Sequence, residues 1–403
     1  MHRQTVNAET AFGWAQSYFE FGDFANARKW YARRVEMGGS GEELFLAKYR
    51  LAASMHKLAE PWPQVQDAYL RAWTELPSRA EPLHAIARRY RSAGSYHLGY
   101  LFARRAAMIS RPEHDHLAVD DALDHWRAMD ELAVCAAWIG KKAEAFDLCR
   151  KLIALPDLPE PDRQRIAKNR DLEVPVMLEA ASAYPQGLLA DLTIGGFGAD
   201  VTVTVIADAD RAALERTLNS FLNCCQDLAL VERFLVLDTG LSGADRRMLR
   251  DRYRFVDVID ADPYSAPGDQ LRELRGRVPG RFWLHLGRGW QFFAPDHLMG
   301  RLRSVLQAEP QVFQVGVNVG DATELIGECA PEPMVRRSAG TGRYLRSGAI
   351  SMGPAMFDTT RLDQATAATV AHADVVGELG RVGWCTATLD EVLCSVQISA
   401  PPA

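Results

Sequence analysis

A spacing of small and aromatic residues recurs along the first half of this chain, and it restricts the fold more than any other feature of the sequence. Three segments share the same steps of 3, 4, 2, 3 and 4 residues. The segments are Ala15, Tyr18, Gly22, Phe24, Ala27 and Tyr31; Ala87, Tyr90, Gly94, Tyr96, Gly99 and Ala103; and Ala133, Ala136, Gly140, Lys142, Ala145 and Cys149. A weaker copy consists of Ala53, His56, Val65, Tyr69, Ala72 and Pro77. Such self-similarity indicates stacked units rather than one closed core.

The pattern predicts pairs of antiparallel helices. Small residues allow two helices to approach closely, aromatic residues fill the space one turn away, and Gly22, Gly94 and Gly140 suit the turns between helices. The spacing resembles the tetratricopeptide repeat (TPR). We expect four helix pairs over residues 8–156, then a closing helix and a linker, which together form a TPR-like α-solenoid domain over residues 8–185. Arrays of this kind bind partners on a concave surface, but the repeat does not name the partner.

The composition limits the classes of function. Charged residues make up 24% of the 403 residues and hydrophobic residues 48%, as in ordinary soluble proteins. The formal net charge of −6 disfavours a nucleic-acid partner. No apolar run reaches the roughly 20 residues that span a bilayer, and residues 1–16 lack the apolar segment of a secretory signal. We therefore expect a cytoplasmic protein.

The cysteines fit that expectation. Their number, seven, is odd, and their spacing matches no zinc motif. We interpret them as reduced, small, buried hydrophobic residues. They are Cys135, Cys149, Cys224, Cys225, Cys329, Cys385 and Cys394.

An insertion rich in histidine and aspartate interrupts the repeats at residues 111–124. Histidine and carboxylate side chains are suitable metal ligands. The spacing matches no standard metal site, however, so a solvated connector between helices is the alternative interpretation.

The spacing of hydrophobic residues changes after residues 185–200, where prolines and glycines interrupt the helical pattern. β-branched runs then alternate with helical periodicity. The predicted strands are 201–207, 233–238, 255–259, 282–286 and 312–319, and the predicted helices are 210–222, 242–251, 271–277 and 296–307. This alternation predicts a Rossmann-like α/β domain over residues 198–400, with a mostly parallel sheet and helices on both faces.

Candidate site residues follow three of these strands. Asp208, Asp238 and residues 287–289 each lie at the carboxyl end of a predicted strand. Ligands of open α/β sheets bind beyond the carboxyl ends of the strands, near the point where the strand order reverses. The convergence of these positions indicates a binding site.

Residues 280–293 carry a family resemblance. They read Gly-Arg-Phe-Trp-Leu-His-Leu-Gly-Arg-Gly-Trp-Gln-Phe-Phe. The stretch resembles the strand of nucleotide-sugar glycosyltransferases that ends in a metal-binding acidic cluster, Leu-His-Leu-Glu-Asp-Asp-Trp. The second domain is thus similar to GT-A-type enzymes of glycosyltransferase family 2, and the chain from about residue 10 to 400 resembles bacterial TPR glycosyltransferases. Other segments that carry the resemblance are 79–83, 101–106, 130–134 and 219–225.

The resemblance implies which residues contact a nucleotide sugar. In the family, the end of the first strand and the aspartate of the second contact the nucleoside, which here points to Asp208 or Asp210 and to Asp238. Carboxylates suit this role because they accept hydrogen bonds from ribose hydroxyls or a base N–H. For Asp238, a turn-forming aspartate before Gly240 is the alternative.

The acidic cluster of the family is replaced here by Gly287, Arg288 and Gly289, which changes the local formal charge from −3 to +1. Mg²⁺ and Mn²⁺ need carboxylate oxygens, and residues 389–399 lack the histidine that often helps to hold the metal in the family. We predict no divalent metal and no other cofactor. Arg288 then binds the phosphate oxygens directly, or it is a solvated loop residue.

Two functions are compatible with this degenerate motif. One is a metal-independent, inverting glycosyltransferase whose repeats hold the acceptor. The other is a non-catalytic pseudo-glycosyltransferase that acts as a TPR scaffold or nucleotide-sugar sensor. A metal-dependent transferase would need ligands from elsewhere. Glu324, Glu328, Glu332 and Asp358 lie in the acceptor-side region without a recognisable motif, so no catalytic base is named, and His285 is interpreted as a structural strand residue.

Overall fold

The structure of this protein is a computed structural model that divides into two compact units, Met1–Leu158 and Pro159–Ala403. The histidine- and aspartate-rich insertion lies outside the described residues. The residues that the structure describes are 7–109, 125–262, 264–369 and 383–396.

The described part of the first unit consists of helices that pack in consecutive pairs, as the repeat spacing predicts. It therefore contains helical repeats that resemble TPRs. The helices are α1 (Ala8–Glu20), α2 (Phe24–Glu36), α3 (Glu42–Lys57), α4 (Trp62–Glu75), α5 (Glu81–Ser92), α6 (Tyr96–Ala107), α7 (His125–Trp138) and α8 (Lys142–Ile153).

Small residues allow these helices to approach closely. Ala15, Ala27 and Ala47, from the first three helices, are fully buried in one cluster with Tyr31. A Cβ atom at Gly99 would lie 2.8 Å from the Sγ atom of Cys135 on the next helix. The contact between α6 and α7 therefore depends on the absence of a side chain at this position.

The turns inside the helix pairs use left-handed backbone. Gly22, Gly94 and Gly140 have φ angles of 76°, 72° and 80°, which confirms the predicted turns. In the second pair the equivalent residue is Ala59, with φ of 54°. This conformation is unfavourable for a residue with a Cβ atom, and the missing glycine explains why the second copy of the repeat is weak in the sequence.

The second unit alternates strands and helices. Its helices are α9 (Glu160–Asp171), α10 (Val174–Ser182), α11 (Gln186–Asp191), α12 (Arg211–Cys224), α13 (Gly243–Arg252), α14 (Pro267–Arg277), α15 (Leu298–Ala308) and α16 (Thr359–Thr369). Its strands are β1 (Val201–Ala207), β2 (Val231–Asp238), β3 (Val256–Asp260), β4 (Phe282–His285), β5 (Gln291–Phe292), β6 (Val312–Gly316), β7 (Tyr344–Ser347), β8 (Ala355–Asp358), β9 (Cys385–Leu389) and β10 (Cys394–Ser395).

The main sheet is mixed, and six of its eight described strands run in the same direction, in line with the mostly parallel sheet that was expected. Its order is β3-β2-β1-β4-β8-β6-β9-β7, and a separate small sheet pairs β5 with β10. The first four strands are mutually parallel, whereas β8 runs antiparallel to β4 and β6, and β7 runs antiparallel to β9. Strands β7 and β8 are absent from the prediction because each has only four residues and follows an irregular, glycine-containing segment.

The predicted closing helix, α9, belongs by its contacts to the second unit. The side-chain amide of Gln164 donates to the carbonyl of Cys329 at 2.9 Å. In the same way, Asn223 of α12 donates to the carbonyl of Ala181 in α10 at 2.7 Å. These hydrogen bonds attach α9 and α10 to the α/β unit. The two compact units therefore divide after Leu158, whereas the first domain was expected to extend to residue 185.

The described residues also bear on two expectations from composition. None of their helices combines the length and the apolar character needed to cross a membrane. The seven cysteines, all of which lie in the described part of the chain, form no disulfide, and all except Cys385 are buried. Burial raises the pKa of the Cys135 thiol to about 11, so this thiol stays protonated at neutral pH.

Candidate functional site

The first four strands place their carboxyl ends at one edge of the sheet. The strand β1 lies between β2 and β4 and is parallel to both. The chain proceeds from β1 to β2 and β3 on one side, and returns to β4 on the other. The β1/β4 boundary is therefore a topological switch point, where a crevice for ligands opens in folds of this class. Asp208 follows β1 and the Gly287-Arg288-Gly289 turn follows β4, so both flank that boundary.

The turn after β4 is built for glycine. Gly287 and Gly289 have φ angles of 69° and 74°, a region that disfavours residues with a Cβ atom. A Cβ atom at Gly287 would lie 2.7 Å from Cδ1 of Trp290, whose indole is buried. An acidic side chain at position 287 would have to displace that indole. The shape of this turn therefore favours glycine at positions 287 and 289 over acidic residues.

Arg288 is paired at the switch point. Its Nη1 atom lies 3.2 Å from Oδ2 of Asp208, and the two side chains are 51% and 36% exposed. The other carboxylate oxygen of Asp208 accepts the backbone N–H of Asp210 at 2.9 Å. Exposed ion pairs contribute roughly 0–1 kcal/mol. An incoming anion can therefore replace Asp208 on the guanidinium at little cost.

The other two predicted site residues are engaged in their own loops. Asp210 caps α12 and accepts the N–H of Ala213 at 3.0 Å. The buried carboxylate of Asp238 accepts the N–H groups of Gly240 and Leu241 at 2.9 and 2.7 Å. The structure thus brings Asp208 and Arg288 together, and it uses Asp210 and Asp238 to shape the loops around them.

Asp238 also pairs with Arg246, a site residue that was not predicted from the sequence. Arg246 of α13 contacts both Asp238 and Asp260, which are the last residues of the neighbouring strands β2 and β3. The guanidinium therefore joins the carboxyl ends of β2 and β3. The sequence contains no periodic pattern or motif that predicts this ion pair, because the pair depends on how α13 packs against the sheet.

A second cluster supports the turn from the β6 side of the sheet. Asp321 has a φ angle of 60°, and its carboxylate accepts the N–H of Gly353 at 3.0 Å and the hydroxyl of Ser351. A Cβ atom at Gly353 would lie 2.9 Å from Cζ2 of Trp290. The indole of Trp290 is therefore held between Gly287 and Gly353. In the sequence, only the turn-like composition of these segments hints at this arrangement.

Of the carboxylates that were considered for the role of catalytic base, two are engaged in ion pairs. The Glu332 carboxylate contacts Arg337 and Arg343. The Asp358 carboxylate accepts from Nε of Arg281 at 2.9 Å. No catalytic base is assigned, and within the described segments no group of three or more His, Cys, Asp or Glu side chains is arranged to hold a metal ion.

His285, at the end of β4, is integrated into the strand layer as expected. Its Nδ1 atom lies 2.9 Å from Oγ1 of Thr204 on β1, and Nε1 of Trp283 donates to the same hydroxyl at 2.8 Å. Burial lowers the pKa of His285 to about 4. The imidazole is therefore neutral at physiological pH and packs as part of the sheet.

This pKa predicts a pH dependence of stability. Between pH 6.5 and 4 the unfolded state binds a proton at His285 and the folded state does not, so stability falls as pH falls. From pH 7 to pH 5 we expect a loss of about 2 kcal/mol from this group. Urea unfolding of the wild type and of His285→Gln at both pH values measures it. An equal pH dependence in the two proteins would contradict the assignment.

Comparisons with known proteins give structural similarity alone. No family model matches the chain, and no curated protein matches its sequence. A crystal structure of GalNAc-T7 with UDP, GalNAc and Mn²⁺ is similar to this chain, with a TM-score of 0.37 and 10% sequence identity. The aligned region covers 48% of this chain and 43% of the GalNAc-T7 chain.

Two further solved structures are also similar. A kinesin light chain of Podosopora anserina with nearly identical TPR-like repeats has a TM-score of 0.32 and 15% identity, covering 43% of this chain and 88% of that one. The pilF protein of Pseudomonas aeruginosa has a TM-score of 0.32 and 15% identity, covering 67% and 97%.

Proposed function

We propose that the second unit is a GT-A-like domain that binds a nucleotide-diphosphate sugar at the β1/β4 switch point and transfers the sugar to an acceptor without a divalent metal. The observation that carries this proposal is the half-exposed guanidinium of Arg288 beside Asp208 at that boundary. A guanidinium presents a planar set of N–H donors that matches phosphate oxygens. The Arg288 side chain is 51% exposed beside Asp208, so a diphosphate can reach its guanidinium.

The proposed transfer is an inverting displacement. The acceptor hydroxyl oxygen forms a bond to the anomeric carbon, and the bond from that carbon to the phosphate oxygen breaks. The nucleoside diphosphate leaves with the bonding electron pair, and the acceptor proton passes to a base. The leaving group gains negative charge in this step, so a fixed cation next to it stabilises the transition state more than the ground state.

Electrostatics favour a cation here when no metal is bound. Two unit charges 4 Å apart interact by about 4 kcal/mol at an effective dielectric constant near 20. Three carboxylates without a metal would repel the diphosphate, whereas Arg288 attracts it. Asp208 remains in the proposal as a partner of the nucleoside, since its carboxylate lies at the same boundary.

The alternative is a non-catalytic protein that acts as a TPR scaffold or nucleotide-sugar sensor. The engagement of Asp238 favours it, because this carboxylate is buried and bound to Gly240, Leu241 and Arg246. A carboxylate in that state does not contact a nucleoside unless the loop after β2 rearranges.

Titration and turnover assays separate the two functions. UDP-, GDP- and dTDP-sugars are titrated calorimetrically into the protein, first with Mn²⁺ and then with EDTA, and sugar release is followed in both buffers. The proposal predicts binding and release that EDTA leaves unchanged. If a nucleotide sugar binds but its sugar is not released, the result supports the sensor. If it binds only in the presence of Mn²⁺, the result contradicts metal independence. If none of the nucleotide sugars binds, only the role as a scaffold is left.

A further inference from the structure

The segment that leads into β8 lies beside the turn after β4. The strand β8 runs antiparallel to β4, with Ala355 paired to His285, so the chain enters β8 at the edge of the sheet where β4 ends. A Cβ atom at Gly287 would lie 3.7 Å from Cδ of Pro354. Residues 351–354 therefore flank the turn after β4 on the side of β8.

Polar side chains of β6 and of the loop after it fix the backbone of this segment. Gln314 of β6 is fully buried. Its amide nitrogen donates to the carbonyl of Ser351 at 2.7 Å, and its amide oxygen accepts the N–H of the same residue at 2.9 Å. The carboxylate of Asp321 accepts the Ser351 hydroxyl, and it also accepts the N–H groups of Met352 and Gly353. The backbone on both sides of Met352 is therefore held by hydrogen bonds.

Met352 adds an exposed apolar side chain to this edge of the sheet. The residue is 81% exposed, although its backbone is fixed. Residues 348–354 carry no charged side chain, so the surface that they offer to a ligand is uncharged. A side chain on a fixed backbone is preorganised for contact, because little further ordering is needed when a ligand binds.

We propose that Met352 contacts the sugar of the nucleotide-sugar donor and that this site accepts an uncharged sugar. The inference rests on the proposed function, in which Arg288 binds the diphosphate and Asp208 the nucleoside. The turn that carries Arg288 lies between β1 and β8 in the sheet. The nucleoside then lies toward β1, and the sugar, at the other end of the diphosphate, extends toward β8 and Met352.

The chemistry of the segment selects the class of sugar. A neutral sugar has C–H groups on its ring faces, and the flexible, polarisable thioether of methionine packs against such groups. A uronate sugar carries a carboxylate, which loses hydration beside an uncharged segment and gains no cation from it. Asp321, which holds the segment, has a carboxylate of its own, so its charge also opposes a uronate.

Calorimetric titration of the full chain in EDTA, with and without the sugar on the nucleotide, tests the contact. The ligands are UDP, GDP and dTDP alone, and UDP-glucose, GDP-mannose and dTDP-glucose. Met352→Ala is expected to weaken binding of the nucleotide sugar about fivefold and to leave binding of the nucleoside diphosphate unchanged, because only the sugar reaches Met352. Arg288→Ala, in contrast, is expected to weaken both kinds of ligand.

A charged variant tests the class of sugar. The wild type is expected to bind UDP-glucose more tightly than UDP-glucuronate, and likewise each of the other neutral donors more tightly than its matching uronate. Met352→Lys supplies the missing cation and is expected to shift this preference about tenfold toward the uronate. A wild type that prefers the uronate overturns the assignment, as does a lysine variant with an unchanged preference.

A second exposed methionine is the matched control. Met334 is 66% exposed and precedes the bridge between Arg336 and Tyr344 at the β7 end of the sheet. Met334→Ala is expected to leave binding of both kinds of ligand unchanged. If Met352→Ala weakens both kinds equally, weakens neither, or acts no differently from Met334→Ala, the inference is overturned while the phosphate site at Arg288 stands. A wild type that binds none of the nucleoside diphosphates overturns the proposed function and this inference with it.

Discussion

Replacing Arg288 by alanine is expected to weaken nucleotide-sugar binding about 10- to 100-fold, because hydrogen bonds to charged groups contribute roughly 1.5–3 kcal/mol. The substitution removes the cation from the switch point and leaves Asp208 as an unpaired negative charge there. The side chain is half exposed, so the fold itself should be little affected. Calorimetric titration in EDTA measures the change.

Two further variants sharpen this prediction. Arg288→Lys keeps the charge but not the planar donor set, so it should restore only part of the affinity. Arg233 on β2 is a matched control, because it pairs with Asp257 at 3.1 Å and is 44% exposed, near the amino-terminal edge of the same sheet. Arg233→Ala should leave binding unchanged. Equal losses for Arg233→Ala and Arg288→Ala would show that overall charge, not the switch point, governs binding.

Replacing Asp390 by alanine is expected to lower the free energy of unfolding by about 3–5 kcal/mol, because it removes one member of a buried ion pair. The Asp390 carboxylate, just after β9, accepts from Nε of Arg343 at 2.9 Å, and both side chains are almost completely buried. Its other oxygen accepts the N–H of Ala330 at 2.8 Å. Without Asp390, the buried guanidinium groups of Arg163 and Arg343 share Glu332. Urea unfolding measures the loss.

An exposed ion pair of the same unit provides the comparison. Asp363 accepts from Arg275 at 2.6 Å, but its side chain is 56% exposed. Asp363→Ala should therefore cost no more than about 1 kcal/mol. If Asp390→Ala is as mild as this control, burial of the Arg343–Asp390 pair does not stabilise the second unit as described.

Local patterns account for the elements that were predicted correctly. Helix pairs repeat a short spacing, so Gly22, Gly94 and Gly140 could be assigned to turns from sequence neighbours alone. The strand β1 coincides with the predicted segment because its β-branched run is buried along its whole length. Ser242 caps α13 as predicted, since capping depends on only three residues.

Contacts between distant segments account for what was missed. The antiparallel strands β7 and β8 are short and carry no alternating pattern that separates them from loops. The engagement of Asp238 by Arg246 depends on how α13 packs, and the fit of Trp290 between Gly287 and Gly353 depends on two loops that are far apart in sequence. The sequence therefore indicated where the candidate site lies, but not which of its carboxylates remain accessible.

The most direct test of the account is phosphorus NMR of a nucleotide-diphosphate sugar in EDTA, with the wild type and with Arg288→Ala. Direct contact between the guanidinium and the diphosphate predicts that the wild type shifts or broadens both phosphorus resonances and that Arg288→Ala does so far less. Spectra that the two proteins change equally, or that the wild type changes only after Mn²⁺ is added, would contradict a metal-free phosphate site at Arg288.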